Sequence, residues 1–124
     1  MPLISYASLE IYNYTDKDSS VRITSGSIHP CSSDKGVYTP KRSSDGTPGH
    51  SATTDMQIKG LCVTSQNNVC SADIYTSNNC TGDKIGNATL SLVTKAVINL
   101  TRYDNRYEFE ILNNGTLLKV RYAP

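Results

Sequence analysis

The sequence predicts an all-β protein: an antiparallel β-sandwich of about seven or eight strands, stapled by two disulfides, with residues 1–124 forming one domain. Three observations carry this reading. Val, Ile, Thr and Tyr recur in short alternating runs punctuated by Gly, Asn, Asp, Ser and Pro clusters, the pattern of strands joined by turns. Helical apolar spacing is weak throughout. Four cysteines fall in a tryptophan-free chain of 124 residues, long enough for a core and short enough to gain from covalent staples.

Strands are expected at residues 7–14, 21–28, 56–64, 69–76, 85–92, 95–101, 107–112 and 116–122. Between the second and third, residues 32–54 are rich in Ser, Asp, Gly and Pro, and only Val37-Tyr38 offers a short strand. This stretch reads as a long loop tethered at Cys31. A loop of that length in a compact domain is commonly functional. The last two strands can be placed in register. Asn114-Gly115 is a strong turn signal, because both central residues of a type I′ turn need positive φ. A two-residue loop there pairs Asn113 with Thr116, Ile111 with Leu118, Phe109 with Val120 and Tyr107 with Tyr122. The opposite face then sets Glu110 against Lys119 and Glu108 against Arg121, cross-strand pairs worth ~0.2–1 kcal/mol each. A slip of one residue would destroy both faces.

Cys31, Cys62, Cys70 and Cys80 allow three connectivities. Cys70 with Cys80, closing a strand and its turn, and Cys31 with Cys62, pinning the long loop to a strand, are favoured. Each bridge would contribute ~3 kcal/mol by restricting the unfolded chain. Zinc is the rival use of these cysteines. The chain has no Cys-x2-Cys spacing, and only His29 stands near a cysteine, so neither a metal nor a cofactor is expected.

A net charge of +1 and a pI near 7.6, with acids and bases interleaved, leave no basic stripe for nucleic acid or anionic lipid. No apolar run approaches the ~20 residues that span a bilayer. Residues 1–5 lack the charged start and long apolar stretch of a secretory signal, so Met1 is expected to head a mature form. Five Asn-x-Ser/Thr triplets begin at Asn13, Asn79, Asn87, Asn99 and Asn114, where composition alone would supply about two. Asn79 precedes a cysteine expected in a disulfide. Asn13, Asn87, Asn99 and Asn114 are therefore the candidate glycan acceptors, Asn114 foremost for its turn position. Sequons and an even cysteine count both point outside the reducing cytosol, to a secreted glycoprotein.

Chemistry-bearing residues are few. A small ribonuclease-like hydrolase would draw on His29 and His50, or on a His with a Glu and an Arg. Glu108 and Glu110 are already engaged across the hairpin, leaving Glu10 on a polar strand face, and two solvated loop histidines are the simpler reading. Gly-x-Ser-x-Gly and phosphate-binding glycine loops are absent. Among eight tyrosines, Tyr12, Tyr14, Tyr38 and Tyr75 are candidates for a binding surface. Lys41-Arg42 in the long loop is either a processing site or an ordinary solvated charge pair.

The run Cys70-Ser-Ala-Asp-Ile-Tyr75-Thr-Ser-Asn-Asn-Cys80-Thr-Gly82 resembles the first hairpin of a β/γ-crystallin-type Greek key: an alternating strand ending in an aromatic, six residues, then a glycine. Ser8-Leu-Glu-Ile-Tyr12 begins similarly, but Ser19 stands at the glycine position. Calcium-binding members of that family carry two Asn/Asp, two variable residues and Ser/Thr-Ser. Asn67-Asn68-Val-Cys-Ser71-Ala72 and Thr15-Asp16-Lys-Asp-Ser19-Ser20 both depart from this, so calcium is not expected. In its Ser/Thr/Asn richness and its Cys-x4-Tyr-x4-Cys-x-Gly run, the chain also resembles small secreted cysteine-containing fungal proteins, which include effectors, killer toxins and antifungal proteins. That resemblance implies a non-enzymatic effector or virulence-type protein, monomeric, binding a host protein or cell-surface component. A killer toxin or antimicrobial acting on competitor cells, and the ribonuclease-like hydrolase, are the alternatives.

Overall fold

In the computed structural model, which describes residues 7–124, eight strands form two four-stranded sheets. The reading of residues 1–5 lies outside that range. The strands are β1 (Ala7–Asn13), β2 (Ser20–Ile23), β3 (Gly49–Thr54), β4 (Val69–Tyr75), β5 (Lys84–Ser91), β6 (Val97–Arg102), β7 (Tyr107–Leu112) and β8 (Leu117–Tyr122), with one helix, α1 (Asp55–Leu61), between β3 and β4. The first sheet runs β3-β1-β8-β7 and the second β2-β4-β5-β6; every pairing is antiparallel except β1 with β8.

Period-two alternation sends one side of each strand inward. Ile74 and Ile85 of the second sheet pack against Tyr107, Leu118 and Val120 of the first, the face-to-face contact of a sandwich. At one end Ile58, Leu61 and Cys62 of the α1 segment pack with Ile23 and Cys70. The β7–β8 hairpin has the register its alternation predicts, from Tyr107 opposite Tyr122 to Ile111 opposite Leu118. Asn114 (φ 56°, ψ 34°) and Gly115 (φ 92°) adopt the type I′ geometry, and the Thr116 N–H donates to Asn113 O at 3.2 Å. Asn113 also takes positive φ, so the ladder closes at Leu112–Leu117, inside the expected Asn113–Thr116 pair. The charge pairing differs too. Arg121 takes both acids, at 2.5 Å from Glu110 and 3.3 Å from Glu108, while Lys119 lies 5.9 Å from the Tyr14 ring.

Residues 56–64 are not a strand. Thr54 caps α1: its hydroxyl accepts from the Gln57 N–H at 3.2 Å, and Gln57 Oε1 accepts from the Thr54 N–H at 2.8 Å. Ile58 and Leu61, one turn apart, bury the inner side of this short helix, and Lys59 pairs with Asp55 at 3.3 Å on the outside. Residues 32–54 are not a loose loop either. A 3-10 turn (Ser32–Lys35) follows Cys31, Val37 is buried, Thr39 pairs with Ser19, and the segment ends as β3. Lys41 and Arg42 are pinned through their backbones, to the Asp18 carboxylate at 2.9 Å and to Thr15 O at 2.8 Å. β2 stops at Ile23, short of the expected residue 28, because the chain turns at Gly26 with φ 81°.

The disulfides are Cys31–Cys80 and Cys62–Cys70, not the favoured pairs. Cys70 is the second residue of β4 and Cys80 lies in the turn beyond its far end at Tyr75. Five residues of strand separate the two ends by roughly 16 Å, far beyond the ~4.4–6.8 Å Cα separation a disulfide spans. Asn67 and Asn68, both at positive φ, instead fold Cys70 back onto Cys62 at the end of α1, with a Cα separation of 5.9 Å. Cys31–Cys80 staples the start of the 32–54 segment to the β4–β5 turn and buries Tyr75 beside it. At that turn Gly82 takes φ 83°.

Two surface turns are held by carboxylates whose pKa values lie at about 2. Asp45 is lowered by the Ser43 hydroxyl and the Thr47 N–H, and Asp104 by the Arg106 guanidinium. Both sit below the unfolded value near ~4, so they stabilise the fold above about pH 4 and release that contribution as pH falls toward 2. The melting temperature is therefore expected to be flat from pH 7 to 4 and to drop between pH 4 and 2. A melt series by circular dichroism checks this, and a Tm that does not change down to pH 2 would contradict it.

Candidate binding face

β1 alternates sharply: Leu9, Ile11 and Asn13 turn inward while Glu10, Tyr12 and Tyr14 point out. Register sets Tyr12 beside His50 on β3 and beside Lys119 on β8. The His50 and Tyr12 rings lie 4.6 Å apart at 34°, and His50 Nε2 is 3.2 Å from Glu10 Oε1. Tyr14 follows along the same row, its backbone bonded to Val120 and to the Arg42 guanidinium. Glu108, Glu110 and Arg121 continue the face toward β7. The outer side of the β3-β1-β8-β7 sheet thus carries a tyrosine–histidine pair, a half-exposed carboxylate and the Lys119 ammonium. Arg121 is held by two glutamates, whereas Lys119 has no ion-pair partner among the described residues. Such a face offers ring surfaces for stacking and separate acidic and basic groups for hydrogen bonds, over an open sheet and not in a cleft.

At the rim, Tyr122 donates a short hydrogen bond to Asp16, tying the β1–β2 turn to the end of β8. That bond lowers Asp16 and raises the Tyr122 phenol well above its usual value.

Of the four tyrosines expected to form a surface, Tyr12 and Tyr14 come together here. Tyr38 is 43% exposed on the 32–54 segment, elsewhere. Tyr75 is no surface residue: it is buried against Cys31–Cys80. The histidines separate as well. His29 bonds Gly26 O at 3.1 Å in the turn after β2, and His50 lies on β3. The His50–Glu10 pairing escapes the sequence because Ser51 and Thr53, the inward positions of β3, carry hydroxyls. The apolar alternation that marks a strand is missing there. The Thr53-Thr54 pair after Pro48-Gly49 is the one signal that β3 leaves.

The candidate acceptor asparagines divide. Asn13 is fully buried; its Nδ2 donates to Lys17 O at 2.7 Å and its Oδ1 accepts from the Thr15 N–H and hydroxyl. A glycan on Nδ2 would break this lock, so Asn13 is not an acceptor in the folded domain. Asn87 is half-buried and donates to Asp73 at 3.0 Å. Asn99 and Asn114 are exposed.

No helix among the described residues is long and apolar enough to cross a membrane, and all four cysteines are paired, as suits an oxidising compartment. The chain matches no protein-family model, no curated protein and no solved structure.

Proposed function

We propose that this is a secreted, non-enzymatic binding protein of the effector or virulence type, which engages a host protein or cell-surface component through the outer face of the β3-β1-β8-β7 sheet. The observation that carries the reading is the Tyr12–His50–Glu10 constellation beside Tyr14 and Lys119, half-exposed on the outer face of this sheet in a domain held by two disulfides on its other sheet. Aromatic residues surrounded by polar ones, held without conformational freedom, lose little entropy on binding and are the usual anchors of interfaces. The secreted compartment is supported by the two disulfides.

The test is binding of labelled protein to host cells. The Y12A/H50A double variant should bind at least about tenfold more weakly, the cost of one lost aromatic anchor, with its melting temperature within a few degrees of the parent. N99A, on the opposite sheet, should bind as the parent does. Equal binding by Y12A/H50A and the parent would sink the proposal. The ribonuclease-like alternative draws support from the His50–Glu10 pair. It requires that His50→Ala abolish RNA cleavage by purified protein, and absence of cleavage by the parent removes it. Growth inhibition of microbes by the parent protein would turn the reading toward the toxin alternative.

A further inference from the structure

The core does not close into one cluster. Ile23, Ile58 and Leu61 belong to one group and Ile11, Ile74 and Leu118 to another, and a cavity of about 90 Å³ lined by all six lies between them. Its origin is legible in the strands. Ala72 and Ala88 are direct cross-strand partners on the inner face of the second sheet, so two adjacent positions carry only a methyl group. β3 turns Ser51 and Thr53 toward the same space, so this part of the wall also carries short side chains. Protein interiors seldom leave a void larger than a water molecule.

Water is a poor occupant for this space. Four of the hydroxyls along the wall are engaged, Thr39 with Ser51 at 2.7 Å, Ser32 accepting from the Val21 N–H at 3.1 Å, and Ser20 from the Cys80 N–H at 2.9 Å, and most of the remaining lining is apolar side chain. Among the described residues, the one buried side-chain polar atom without a hydrogen bond is Arg121 Nε, on the outer face beside Glu108. A buried water needs two to four polar partners, and an apolar void lacking them stays dry and takes up apolar solutes. Size sets the class. Drug-sized ligands occupy pockets of ~300–1,000 Å³, whereas a dry cavity of ~150 Å³ holds benzene or xenon.

We propose that this inter-sheet cavity is a binding site for a small apolar molecule no larger than one aromatic ring, reached beside the exposed Tyr38 that forms part of its wall. The site is independent of the outer face of the first sheet and does not rest on the function proposed for it.

The experiment uses the full chain, with xenon and benzene as the probes. Methyl NMR should show saturable shifts at Ile11, Ile23, Ile58 and Ile74 and none at the exposed Ile98, and saturating benzene should raise the melting temperature by about 2–4 °C. Ala88→Leu fills the space and should abolish both responses; Ala72→Val, a smaller change read in the same way, serves if Ala88→Leu does not fold. The proposal is overturned if neither probe moves the lining methyls, if Ile98 shifts as much as they do, or if the folded filling variant keeps the full response.

Discussion

Replacing Cys31 and Cys80 together by alanine is expected to cost about 4 kcal/mol of stability, against about 2.5 kcal/mol for the same change at Cys62 and Cys70. The difference follows from loop length: the first bridge closes 49 residues and the second 8, and the longer loop loses more entropy in the unfolded chain. The first bridge also holds Tyr75 in its buried place beside the β4–β5 turn, so its loss should loosen the 32–54 segment as well. Urea unfolding of the two double variants measures both costs. Equal costs, or a larger one for the short loop, would contradict this assignment of roles.

Gly49→Ala is expected to destabilise by about 3 kcal/mol, at the upper end of overpacking costs. A Cβ built at Gly49 would lie 1.7 Å from Pro40 O and 2.6 Å from Pro40 C. Backbone meets backbone there, with no side chain able to swing aside, so the start of β3 must part from residues 40–41. The substitution therefore asks whether the 32–54 segment is fixed against the sheet or free. A flexible loop would absorb the methyl group with no change in melting temperature. A fixed one should lose stability and expose Lys41-Arg42, whose backbone bonds to Asp18 and Thr15 now hold it, to trypsin.

What the chain declares locally, the fold follows. The β7–β8 hairpin was legible because its turn needs positive φ at Asn114 and Gly115 and because one slip would exchange an apolar face for a charged one. Elsewhere the decisive contact depends on how strands and helix are laid out in space, which the local run of residues does not show. β3 is invisible because Ser51 and Thr53 face a cavity and not a packed core, so no apolar period announces them. Helix α1 hides among β-branched neighbours, yet its capping pair, Thr54 and Gln57, stands in the sequence at the right spacing. Disulfide choice turned on strand direction. Cys70 and Cys80 look close along the chain, but β4 carries them to opposite ends of a strand. The candidate face shows the same limit. Tyr12 and Tyr14 share a side by alternation alone, whereas His50 joins them only through the β1–β3 pairing.

The most direct test of a doubly stapled sandwich, and of the secretion proposed for it, is disulfide mapping of the natural protein, trapped with an alkylating agent and digested without reductant. Peptides linking Cys31 to Cys80 and Cys62 to Cys70, with no alkylated cysteine, are the predicted result. Free alkylated thiols would contradict the oxidising compartment, and peptides linking Cys70 to Cys80 would contradict the strand layout on which both the candidate face and the cavity depend.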